Sequence, residues 1–157
     1  MSGASDSSGV RLSAGQRPPQ TLLAFDFGTR FIGIAVGDTE TRCAHPLDLI
    51  DAEDNATRFA RIGALVAEWS PAGFVVGLPQ SLDGVETEMT RRARRFARQL
   101  EARFKLRVEM ADVRLSSASA QELLSSRGRG GRGNKHESHA LAAQIILQGF
   151  LDERAAV

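Results

Sequence analysis

Residues 22–33 read LLAFDFGTRFIG, in which two apolar runs, Thr21–Phe27 and Phe31–Val36, are separated by Gly28-Thr29-Arg30. Two such runs joined by a short glycine-containing connection predict a β-hairpin. The charge inside the first run narrows the choice of fold further. Asp26 stands in an apolar strand, where an unpaired carboxylate is costly. A chain that keeps it must compensate it with a cation, a metal ion or a set of hydrogen bonds. Gly28 and Thr29 form a tight turn whose backbone can approach a phosphate closely. Gly33 leaves room for a neighbouring backbone or ligand beside the second strand.

Downstream, His45–Ile50 reads as a third, shorter strand. Asp51–Asp54 supplies turn and N-cap chemistry, and Phe59, Ile62, Leu65 and Val66 then recur at helical spacing as far as Trp69. Trp69 and the phenylalanines stand at apolar positions and read as core. Gly73–Leu78 (GFVVGL) is a continuous apolar run, the pattern of a strand covered on both faces. A loop, Pro79–Val85, leads to a long helix at 86–104 with Met89, Ala93, Phe96, Ala97 and Leu100 along one side. Leu106–Ala111 is the fifth strand, Ala118–Ser125 a short helix, and Arg127–Gly133 (RGRGGRG) is too rich in glycine to be regular. The last helix, Glu137–Leu151, offers Leu141, Ile145, Ile146 and Phe150 as core residues. The order βββαβαβαα predicts an α/β fold. Its mixed five-stranded sheet has three antiparallel strands, then two parallel ones, with helices on both faces.

The chain has 157 residues, room for one domain. Residues 1–20 are rich in Ser, Gly and Pro and read as a flexible tail, so the folded domain is expected to span 21–153. The single cysteine, Cys43, excludes a four-thiolate zinc site. His136 and His139 are three residues apart, whereas the zinc-protease pattern places its histidines four apart on one helix face. No apolar run approaches the ~18 residues of a membrane span, and no signal-like segment opens the chain. A soluble, cytoplasmic protein is the expectation.

A formal net charge of +1 argues at first against a polyanionic partner. It is a sum of opposites. Between Met89 and Lys135 stand thirteen basic and four acidic residues, a local charge of +9, which leaves 1 − 9 = −8 for the remainder. Asymmetry of this size is a hint of nucleic acid.

The Asp-x-Gly-Thr pattern on a first hairpin occurs in ribonuclease H-like nucleases, where the strand Asp binds Mg²⁺. It also occurs in actin-like ATPases and sugar kinases, which need two such domains, so the length favours the nucleases. Three ordered motifs then resemble the YqgF/RuvX family of pre-16S rRNA nucleases and Holliday-junction resolvase homologues. They are DFGTRFIGIAVGD (26–38), GLPQSLDG (77–84), and DVRLSS (112–117) followed by the Arg/Gly loop, Lys135 and HALAAQIILQGFLD (139–152). The resemblance implies a ribonuclease H-like fold and a metal-dependent endonuclease acting on structured RNA in 5′-end processing of pre-16S rRNA. Branched-DNA resolution is the alternative activity.

The same resemblance implies Mg²⁺ or Mn²⁺ held by Asp26, Asp112 and His139, which are also the implied catalytic residues. Arg30, Arg114, Arg132 and Lys135 would contact phosphates. Precursor rRNA, branched DNA or ribosomal precursor particles would be the partners, with the chain a monomer or homodimer. The sequence departs from the family pattern at two expected carboxylates: Val113 stands for Glu, and His139 for Asp. Valine cannot bind Mg²⁺, and histidine prefers borderline metals. A catalytically impaired nucleic-acid binder is therefore the alternative from outside enzymology.

Overall fold

The computed structural model describes residues 20–79, 85–112 and 135–155, with residues 112, 135–138, 154 and 155 described as backbone only. Its elements follow the chain as β1 (Thr21–Phe27), β2 (Phe31–Asp38), β3 (Ala44–Asp51), α1 (Asn55–Trp69), β4 (Gly73–Leu78), α2 (Glu88–Phe104), β5 (Arg107–Asp112) and α3 (Lys135–Ala155). The expected tail, the helix at 118–125 and the RGRGGRG loop lie outside the described residues.

The five strands lie in the order β3-β2-β1-β4-β5. β1 pairs antiparallel with β2, and β2 with β3. β4 runs parallel to β1, and β5 parallel to β4. This is the mixed sheet anticipated from the sequence. The local reasons are legible. Asp54 caps α1 by accepting the Thr57 N–H at 2.8 Å, and Ser70 ends the helix in the left-handed region with Pro71 behind it. Thr87 and Thr90 form a reciprocal cap at the start of α2. The Thr90 hydroxyl also donates to the Pro79 carbonyl, tying the exit of β4 to α2. Pro46 sits on the edge strand β3, where its missing N–H interrupts no central ladder.

Side-chain alternation along β1 separates two cores. Leu23 and Phe25 point toward α1 and α2, into a cluster with Phe59, Phe74, Phe96 and Leu100. Leu22 and Ala24 point the other way, into a thinner cluster with Ala35, Val75, Ala143 and Leu147 under α3. Two expectations need correcting. Trp69 is 37% exposed at the end of α1 rather than buried in the core. On α3 the buried line is Ala143, Ile146, Leu147 and Leu151, with half-buried Phe150 packed against it, while Leu141 and Ile145 are half-buried and stand outside it. The helix is apolar around most of its girth, so the size of a side chain does not mark which face meets the sheet. Small Ala143 does.

Candidate active site

Asp26 continues the Leu22–Ala24 face of β1 and is aligned with Gly33 on β2. A side chain at Gly33 would overlap the His139 carbonyl oxygen. The glycine is thus the condition for α3 to lie directly on β2. With α3 so placed, His139 Nδ1 lies 3.7 Å from Asp26 Oδ2. The His139 ring stacks on Phe31 with centroids 5.1 Å apart at 24°. The two groups are half-buried, with side chains 33% and 30% exposed. Burial holds the Asp26 carboxyl above its ordinary pKa, and the charge and hydrogen-bonding capacity of His139 oppose that rise.

Two of the three residues expected to form the centre are therefore brought together. Asp112 is the last residue of β5, aligned with Leu78 in the β4–β5 ladder. Glu109, aligned with Val75, shares the α3 face and is paired with Arg107 at 3.0 Å. No group of three His, Cys, Asp or Glu able to hold a metal ion occurs among the described residues. Asp26 and His139 supply two donors, a carboxylate oxygen and an imidazole nitrogen. Of the expected phosphate contacts, Arg30 is exposed at the hairpin turn, donates to Asp51 at 2.9 Å, and lies 5.1 Å from the Phe31 ring centroid. Arg114 and Arg132 lie outside the described residues, and Lys135 opens α3 with only its backbone described.

A residue that sequence reasoning missed organises the turn. Arg58 is buried in α1, 4% exposed, with no carboxylate hydrogen-bonded to it among the described residues. Its guanidinium donates to the carbonyls of Ala52 at 2.6 Å, Gly28 at 2.8 Å and Thr29 at 2.7 Å. It also lies 5.4 Å from the centroid of the Phe27 ring. In a planar trans peptide the C=O and the following N–H point in opposite directions. Drawing the carbonyls of Gly28 and Thr29 onto Arg58 therefore turns the N–H groups of Thr29 and Arg30 away from it. The arginine stands at an exposed-looking helical position flanked by Thr57 and Phe59. The only signal that could have marked it is a charge placed inside the Phe59–Ile62–Leu65 stripe.

Comparisons with known proteins agree with this architecture. A family model described as RuvX, Holliday junction resolvase, matches residues 20–153. A protein of Thiobacillus denitrificans named "Putative pre-16S rRNA nuclease" is 52% identical over 134 residues, covering 85% of this chain and 92% of its own length. A Neisseria gonorrhoeae protein of the same name is 48% identical over 135 residues, covering 86% of this chain and 89% of its own. Among solved structures, Thermus thermophilus RuvC bound to a Holliday junction superposes with a TM-score of 0.56 at 18% identity, covering 87% of this chain and 96% of that one. The fold is ribonuclease H-like. The chain belongs to the RuvX family and so to a family of phosphodiester-cleaving nucleases.

Proposed function

We propose that this chain is a metal-dependent endonuclease of structured RNA that processes the 5′ end of precursor 16S rRNA in the cytoplasm, on ribosomal precursor particles. The observation that carries the chemistry is the Asp26–His139 pair, two metal-binding side chains from β1 and α3 facing each other at 3.7 Å. The substrate comes from the names of relatives about half identical to this chain.

The two donors fit a divalent ion. Ligand bonds of about 2.1 Å on either side span up to about 4.2 Å, more than the separation observed. An imidazole beside a carboxylate favours Mn²⁺ over Mg²⁺. A cation would also offset the desolvation that holds the Asp26 pKa up. Asp112, at the end of β5, is the third residue that the family resemblance assigns to the ion. Its register with Leu78 stands on the sheet face of Met110, opposite that of Asp26, so it serves only where β5 departs from strand alternation. When bound, the metal would activate water and stabilise the leaving oxygen. The chain's own groups then orient the substrate. The Thr29 and Arg30 N–H groups face away from Arg58 and can donate to a phosphate oxygen, with the exposed Arg30 guanidinium beside them. Arg114, Arg132 and Lys135 are assigned to further phosphates.

The test is cleavage of a precursor 16S rRNA fragment by purified protein with Mn²⁺, with Mg²⁺ and with chelator, compared with Asp26→Asn. Metal-dependent cleavage that falls by about 10²-fold or more in the variant is expected. Equal cleavage by both proteins would remove Asp26 from the centre. Salt-sensitive RNA binding without cleavage under any metal would favour the impaired binder. The RuvX family description motivates a second reading, branched-DNA resolution. A four-way DNA junction cut faster than the RNA in the same assay would establish it.

A further inference from the structure

Across the β1–β2 turn from Asp26 lies a cleft of about 260 Å³ between the start of α1 and the first half of α2. Phe27 and Phe96 form its apolar wall, and Thr29 stands at its turn side. Its charged lining is uneven. Among the described residues Arg58 makes its three hydrogen bonds to carbonyl oxygens, and no carboxylate there neutralises it through a hydrogen bond. Arg92 shares Glu88 with Arg91, at 3.0 Å each. Arg95 is exposed and makes no ion pair among the described residues. Against these stand Glu88, already held by two arginines, and Glu53. The cleft thus combines surplus guanidinium charge, polar hydrogen-bonding groups and aromatic surface. That is the chemistry of a phosphodiester with its attached sugar.

The position of the cleft says which phosphodiester. Asp26 and Phe27 are consecutive on β1 and point to opposite faces, so the turn at 28–30 separates the Asp26–His139 pair from the cleft. We propose that the cleft is a second nucleic-acid subsite, holding a backbone phosphate of the single strand that flanks the scissile bond, with Arg95 and Arg92 as its contacts. The strand crosses the β1–β2 turn to reach it. This subsite rests on the nuclease reading, because a strand must first be placed at Asp26.

The experiment measures binding of a labelled precursor rRNA fragment carrying a single-stranded flank to Asp26→Asn protein, which on the nuclease reading holds RNA without cutting it. Arg95→Glu is compared with Arg98→Glu. Both arginines are exposed on α2 without ion pairs among the described residues, but only Arg95 lines the cleft. Arg95→Glu is expected to weaken binding about tenfold and to lower the salt-dependence slope by about 0.7, the contribution of one single-strand phosphate. Arg98→Glu is expected to change affinity less than twofold, and removing the flank from the RNA to abolish the difference between them. Equal losses from the two reversals would mean diffuse attraction and overturn the subsite. So would unchanged binding by Arg95→Glu in a protein whose wild type still cleaves the RNA, and that result leaves the nuclease reading standing. If inorganic phosphate alone raises the Tm of wild type but not of Arg95→Glu, while their RNA affinities match, the cleft is a free-anion site and the strand assignment fails. Absence of RNA binding and cleavage in every protein would defeat the nuclease reading itself, and the subsite with it.

Discussion

The two faces of the sheet are built from different side chains, and they do different work. Toward α1 and α2 the sheet presents Phe25 and Phe74, which cluster with the rings of Phe59 on α1 and Phe96 on α2. Phe25 meets Phe74 and Phe96 edge-on at 5.6 Å each, an arrangement rings prefer to a flat sandwich. Toward α3 it presents Ala24, Ala35 and Gly33. Small side chains let the helix lie close, so the α3 face is thin where the other is thick. The thick face buries most of the large apolar side chains and so supplies most of the hydrophobic stabilisation. The thin face brings a helix side chain within reach of a strand carboxylate. Stability and chemistry are thus divided between the two sides of one strand, residue by residue along β1.

The largest effect should come from the thin face. Gly33→Ala places a methyl group against the His139 carbonyl, and either α3 or β2 must move. A displacement of about 1 Å at a reacting centre costs roughly 10²-fold in rate. We therefore expect cleavage to fall by that order in protein that still folds, seen as a lost kcat with little change in RNA affinity. Retention of full activity would mean that the approach of α3 is not needed.

Phe25→Ala tests the thick face. Removing a fully buried phenyl ring is expected to lower stability by about 3–5 kcal/mol in denaturant titration. The folded fraction should keep its Asp26–His139 geometry and its turnover, because Phe25 points away from α3. A variant that loses turnover as steeply as Gly33→Ala would show the two faces to be coupled.

Arg58→Met removes the donor to three carbonyls while keeping an apolar stem in the helix. Leaving these part-buried carbonyls without their donor costs about 1 kcal/mol. Freeing the Gly28–Thr29 peptides should in addition raise KM more than it lowers kcat. Arg58→Lys is expected to recover most of the stability and part of the KM, since an ammonium reaches fewer of the carbonyls.

The smallest effect is a gain. Burial raises the Asp26 pKa, so the folded state binds its proton more tightly than the unfolded chain does. Below the unfolded value of 3.8 both states are protonated and the residue carries no charge penalty. As pH rises through the folded pKa, the native state must hold a poorly solvated charge and stability is lost. Asp26→Asn should therefore melt a few degrees higher than wild type at pH 7 in chelator, with the gap closing in acid. Added Mn²⁺ should narrow the gap by stabilising wild type alone. A variant less stable than wild type under chelator would mean that His139 outweighs the desolvation.

Much of this architecture is legible in the sequence. Two apolar runs on either side of Gly28-Thr29-Arg30 mark the hairpin, and GFVVGL marks a strand buried on both faces, because continuous apolarity is a direct consequence of which faces meet water. Asp26 was conspicuous for the same reason, as a charge in an apolar run. On α3 the expectation holds for Ile146 and Phe150 and fails for Leu141 and Ile145, which are as apolar as the residues that face the sheet. Trp69 was misplaced because an apolar side chain at a helix end need not meet the core. The charge of Arg58 beside the apolar stripe of α1 does not by itself reveal its role, because whether such an arginine is buried depends on carbonyls supplied by a turn some thirty residues away.

Sequence by itself determined the order of elements, the mixed sheet and the strand that carries Asp26, since these follow from local periodicity and turn chemistry. The approach of His139 to Asp26, the clamp of Arg58 on the turn and the uneven charge of the cleft behind it were decided only by the tertiary structure. Each depends on how closely two distant segments pack, and that distance is set by the volumes of the side chains between them: alanine and glycine under α3, phenylalanine under α1 and α2.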